Sequence, residues 1–168
     1  LLILAGMVWG NSTILYRYEG FDPATQGILI KLNFISATIL AHFFFLFFIA
    51  FSEGQRLISK PVHIVLLLST SAVILLCLMG QIVESFEIRS DVIRLHYGTF
   101  FPYFVGNALA LELAGIFVLI RIFKRTTNEL MKFQISVLLR YGATVFALVL
   151  LTNVVMPVIL KTSRYSFI

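Results

Sequence analysis

The polar side chains that sit inside otherwise apolar stretches of this chain include Asn11, Asn33, His42, Gln81, Asn107, Glu112, Arg140 and Asn153. In hydrocarbon a polar group without a hydrogen-bond partner costs on the order of several kcal/mol. Glu112, flanked by Leu111 and Leu113, stands out because an intramembrane carboxyl normally faces a bundle interior or a water-filled cavity. It must be protonated, paired or hydrated there. One role makes it part of a ligand or proton site, with His42 or Arg140 as partner. The commoner role is an interhelical staple, and such contacts contribute about 0.6 kcal/mol on average. His42 lies in the run Ala41 to Phe48, where a single histidine among phenylalanines is more often a packing residue than a ligand. Arg140, two turns inside its helix, is able to snorkel towards the nearer surface. Glu112, His42, Asn107, Asn153 and Gln81 form the expected interior lining, since polar side chains there avoid lipid.

Other chemistries find little footing. His42, His63 and His96 belong to different elements and Cys77 is alone in an apolar stretch, so neither a zinc spacing nor a disulfide is argued. No glycine-rich phosphate loop occurs. No metal, cofactor or catalytic centre is therefore expected of these residues, and the chain itself is not expected to be an enzyme. The basic cluster Arg121, Lys124, Arg125 and Lys132 suits solvent or anionic lipid headgroups better than nucleic acid.

The elements that must position these residues are read from composition and rhythm. Hydrophobic residues make up 60% of the 168 and charged residues 12%, which is more apolar surface than a soluble core of this size absorbs. Five apolar stretches span roughly 1–16, 27–51, 62–83, 99–123 and 134–160. About 20 residues at about 1.5 Å each cross about 30 Å of hydrocarbon, and helices are the spanning element this pattern allows. The expectation is a single all-α, polytopic transmembrane bundle with five spans. The first stretch lacks a basic leader, so it reads as a helix cut by a fragment boundary rather than a signal peptide. More chain is expected on both sides, and five crossings put the two ends on opposite faces.

Sidedness comes from charge. Seven basic residues (Arg56, Lys60, Arg121, Lys124, Arg125, Lys132 and Arg140) fall on one side and six (Arg17, Lys31, Arg89, Arg94, Lys161 and Arg164) on the other. Clustering decides, because Arg121, Lys124 and Arg125 lie directly at a helix end, where the positive-inside bias acts most strongly. The loops after the second and fourth spans are expected in the cytoplasm, with the chain in the plasma (inner) membrane. Tyr16, Tyr18, Phe21, Tyr97, Phe100, Phe101, Tyr103, Tyr165 and Phe167 crowd the outer helix ends, as headgroup-level rings do. The connection Glu84 to Gly98 alternates apolar and polar residues, which predicts a short extracellular hairpin turning near Ser90 and Asp91. It reads as a cover over the helix ends.

A transporter would show matching glycine- or proline-broken spans around a midplane site. Pro102 and Pro157 instead sit near helix ends. A small multi-pass transporter and a passive membrane anchor stand as the alternatives.

Three stretches carry a family resemblance. Residues 6–51, GMVWGNSTILYRYEGFDPATQGILIKLNFISATILAHFFFLFFIAF, resemble the second and third helices of the seven-helix membrane region found at the N-terminus of bacterial histidine kinases and related signalling proteins. Residues 94–104, RLHYGTFFPYF, are similar to that family's entry into its fifth helix. Residues 125–157, RTTNELMKFQISVLLRYGATVFALVLLTNVVMP, resemble the loop before its sixth helix and that helix itself, which ends in Asn153 and Pro157 as Asn-x-x-x-Pro. The resemblance covers nearly the whole chain. It implies one helix before residue 1 and one after residue 168. It also implies an outside N-terminus and a two-component signal-transduction role, in which an unknown stimulus or small ligand biases a cytoplasmic output domain of the same chain, often in a homodimer. None of His42, His63 or His96 is implied to be a phosphoacceptor.

Overall fold

In the computed structural model, which describes residues 1–15, 20–51, 59–89 and 92–151, five helices and two strands follow one another. These are α1 (Leu2–Leu15), α2 (Pro23–Phe51), α3 (Lys60–Leu78), β1 (Val83–Arg89), β2 (Val92–Tyr97), α4 (Phe101–Arg125) and α5 (Glu129–Leu150). Among the described residues α2, α3 and α4 are long and apolar enough to cross a membrane, while α1 is a shorter apolar helix. The fifth apolar stretch continues past 151, and residues 152–160 lie outside the described residues, as does the expected turn at 90 and 91.

Local chemistry sets the helix ends. Asp22 caps α2: its Oδ1 accepts the Thr25 N–H at 3.0 Å and its carbonyl accepts the Gln26 N–H at 3.0 Å, with Pro23 in the first position. The helix thus starts four residues before the apolar stretch that predicted it. The third stretch needs the opposite correction, because α3 stops at Leu78 rather than continuing to 83. Gly80 takes φ +74°, its N–H bonds the Cys77 carbonyl, and the Gln81 N–H bonds the Leu76 carbonyl, the paired bonds of a Schellman stop. Lys31 of α2 donates its Nζ to the Leu78 carbonyl at 3.2 Å, so a cation closes the negative end of α3. Asn128 caps α5 through the Met131 N–H at 3.2 Å. The α4–α5 connection is therefore only Thr126 to Asn128, much shorter than the apolar stretches suggested.

The Thr25 hydroxyl and backbone N–H, bonding the ionised Asp22 carboxylate, hold its pKa below the usual carboxylate value. A lowered folded-state pKa adds stability above the unfolded value, and that stability is lost as pH falls through the lowered one. Asp22→Asn keeps the cap bond and removes the charge. In a circular-dichroism pH titration the parent is expected to lose helix as pH falls from the ordinary aspartate range through the lowered pKa, and Asp22→Asn to lose less over that range. An unchanged acid limb would locate that loss elsewhere.

α2 is the centre of the bundle, packing against α1, α3 and α4. Ile30 and Phe34 of α2 meet Val73 and Cys77 of α3, Ile82, and Phe104 of α4 at one end. Ala41, Phe45 and Ile49 surround Leu111 in the middle. Phe48 joins Val118, Leu119 and Ile122 of α4 to Ile135 of α5 at the other end. α3 contributes a thin buried stripe of Thr70, Val73 and Cys77, leaving Val62, Ile64, Val65, Leu67, Leu68 and Leu75 exposed.

The residues between α3 and α4 form an antiparallel pair of strands, with Phe86 opposite Leu95 and Ser85 opposite His96. The register shifts between Val83 and Ser85, at the start of β1. Phe86, Leu95 and Tyr97 pack on the Phe34 end of the core, and the Phe86 ring lies over Gly27 in the first turns of α2. On the other face His96 and Glu87 approach within 3.4 Å, both about half exposed.

Candidate functional site

Two hydrogen-bonded chains meet on α3. The Thr70 hydroxyl donates to the Leu66 carbonyl at 2.9 Å and lies 3.0 Å from Nδ1 of the buried His42 on α2. A threonine hydroxyl has one proton. With that proton on Leu66, the imidazole must donate from Nδ1, which leaves Nε2 as an acceptor in the neutral ring. One residue away, Ser69 donates to Oδ1 of the buried Asn107 on α4 at 2.7 Å. The same proton count makes the Tyr103 hydroxyl the donor to Ser69 at 3.0 Å. Neighbouring residues of α3 are thus tied in opposite directions, Thr70 to α2 and Ser69 to α4.

A third polar cluster joins α1 to α2. Nδ2 of the fully buried Asn33 donates to Thr13 Oγ1 at 2.6 Å, with Ser12 Oγ at 3.2 Å and the Trp9 carbonyl at 3.3 Å. Ser12 and Thr13 hydroxyls also return to the Trp9 carbonyl. Asn33 Oδ1 and Trp9 Nε1 are buried without a hydrogen-bond partner among the described residues.

The expected lining set divides. His42 and Asn107 are interior and each is bonded to α3. Glu112 is half-buried on α4, and no described residue forms a hydrogen bond or ion pair with it. At about 100° per residue, five residues turn about 140°, so Asn107 and Glu112 flank opposite edges of the buried face of α4 marked by Phe104, Leu111, Gly115 and Ile122. Asn107 turns to α3, and Glu112 turns to the edge carrying Leu119. Among the described residues no hydrogen bond joins His42 to Glu112, and His42 is bonded to Thr70 instead. Arg140 is exposed on α5. Gln81 is exposed in the turn after α3, where its carbonyl accepts the Phe100 N–H at 3.3 Å, and is no part of a span. Asn153 lies outside the described residues. Of the basic cluster, Arg121, Lys124 and Arg125 are exposed in the last turns of α4, and Lys132 pairs with Glu129 at 3.0 Å.

No family model, curated protein or solved structure matches the chain. The functional reading therefore rests on the chain's own residues. Ser69 and Thr70, the residues on which two of the polar chains turn, are absent from the lining expected from sequence. Their signal is the run Ser69-Thr70-Ser71 inside an apolar helix. That run is ambiguous alone, because such hydroxyls satisfy themselves on the carbonyl four residues back, as Ser71 does on Leu67.

Proposed function

We propose that this chain is the membrane-embedded input domain of a signal-transduction protein, of the histidine-kinase type its sequence resembles. In this reading it is multi-pass in the plasma membrane, with the strand pair outside and the α4–α5 turn in the cytoplasm. It relays an external stimulus to an output domain that follows residue 168, within a homodimer, and is not itself the enzyme. The observation that carries the reading is the attachment of α3: a thin packed stripe, with hydroxyl bonds to α2 on one side and to α4 on the other. Interhelical hydrogen bonds of this kind contribute about 0.6 kcal/mol each on average. A small displacement of α3 exchanges them at little cost. A stimulus with differential affinity for two seats of α3 then shifts the population between them.

The experiment that tests the reading is to determine the coding sequence past residue 168. One more apolar helix followed by a dimerisation helix with a phosphoacceptor histidine, or by another signalling domain, is expected. A stop soon after that helix, or further spans with no cytoplasmic domain, would turn the reading towards a transporter or an anchor. Within the same reading, Glu112→Gln is expected to preserve helical content and insertion while altering the output of the full-length protein. Output unchanged over the whole stimulus range would remove Glu112 from the mechanism.

A further inference from the structure

The exposed face of α4 is apolar along most of its length and then becomes cationic. Leu113, Phe117 and Ile120 are exposed, and at about 100° per residue they fall within about 60° of one another. Lys124 continues the same line, with Arg121 beside it and Arg125 one step further round. Leu113 and Lys124 are eleven residues apart, about 16 Å at about 1.5 Å each, which matches one leaflet of a hydrocarbon core about 30 Å thick. Arg121 and Lys124 have no acidic partner among the described residues, whereas Lys132 is occupied by Glu129. The side chains of Leu130 and Phe133, in the first turns of α5, are also exposed at this end, so the cations stand in an apolar rim.

We propose that this face of α4 is a binding site for an anionic phospholipid, with its phosphate held by Arg121 and Lys124 and its acyl chains along Leu113, Phe117 and Ile120. Complementarity of charge selects the occupant. A zwitterionic headgroup brings its own cation to the same two residues, whereas an acidic one presents net negative charge to both. The apolar stripe requires a ligand that carries hydrocarbon, which separates a lipid from a soluble phosphate. Each basic residue near a membrane surface strengthens attraction to acidic lipid by about fivefold.

The test uses the chain in phosphatidylcholine vesicles containing either brominated phosphatidylglycerol or brominated phosphatidylcholine. Trp9 is the one tryptophan of the chain, so Trp9→Phe combined with Phe117→Trp leaves a single indole on the stripe. Quenching at that indole is expected to favour the acidic lipid by about fivefold or more. Arg121→Gln with Lys124→Gln is expected to bring the ratio close to one, and Arg121→Lys with Lys124→Arg to retain it. Quenching by brominated phosphatidylcholine reports insertion by itself. Should the double variant fail to insert, Arg121→Gln and Lys124→Gln taken singly each lower the ratio. Equal quenching by the two lipids in the parent, or an unchanged ratio in the glutamine variants, would overturn the proposal.

Discussion

Phe34→Ala is expected to destabilise the chain by about 3 kcal/mol, and to loosen the strand pair before the rest of the bundle. Phe34 is fully buried on α2, with its ring edge-on to Phe104 at 5.1 Å and to Phe101 at 6.5 Å. Its cluster holds α2, α3 and α4 together and seats Phe86, Leu95 and Tyr97 of the strands. Lipid tails are as apolar as the core, so the transfer part of the usual penalty falls away in a bilayer. The cavity part remains, at about 24 cal/mol per Å³ of unfilled space. Titration with a denaturing detergent, followed by circular dichroism, reads the loss. Limited proteolysis should cut between β1 and β2 faster in the variant. A stability change below about 0.5 kcal/mol, the scale of a surface substitution, would mean that this end of the core relaxes and does not organise the strands.

Gly115→Ala is expected to be destabilising by about 1–3 kcal/mol, the cost of overpacking a filled contact. A Cβ at Gly115 would overlap the Phe48 ring, which is itself buried between Gly115 of α4 and Gly142 of α5. Helix propensity acts in the opposite direction, favouring alanine over glycine by about 1 kcal/mol. The sign of the change therefore decides whether close approach of α2 and α4 or local backbone entropy dominates. Combining Gly115→Ala with Phe48→Leu should recover part of the loss, the double variant being less destabilised than the sum of the two single ones. A stabilising Gly115→Ala would refute the knob-in-notch packing.

What sequence made legible follows from what hydrophobic patterning reports. Apolar length identifies α2, α3 and α4, and alternation from Glu84 to Gly98 marks the stretch that pairs as strands. Helix ends were less legible, because they are set by single polar groups rather than by hydropathy. Asp22 starts α2 before its apolar run begins, and Asn128 starts α5 five residues before the stretch beginning at 134. Gly80 ends α3 while apolar residues continue through Ile82 and Val83. The interior polar residues were half legible. His42 and Asn107 are conspicuous in an apolar helix, but their partners Thr70 and Ser69 are common in helices and satisfy themselves locally when alone. Spacing along α4 puts Glu112 on the other flank of its buried face from Asn107, which bonds Ser69 of α3. The distance between two helices at one depth is not encoded in the spacing along either.

In the proposed arrangement α4 crosses a membrane with the strand pair outside and the basic turn inside. Single cysteines introduced as Ser85→Cys and as Thr127→Cys, each in a Cys77→Ser background, test this with a membrane-impermeant maleimide on cells expressing the chain; both positions are exposed and they lie beyond opposite ends of α4. Labelling of Ser85→Cys in intact cells, with labelling of Thr127→Cys only after permeabilisation, is the predicted result. Labelling of both from the same side, or of Thr127→Cys alone in intact cells, would contradict it.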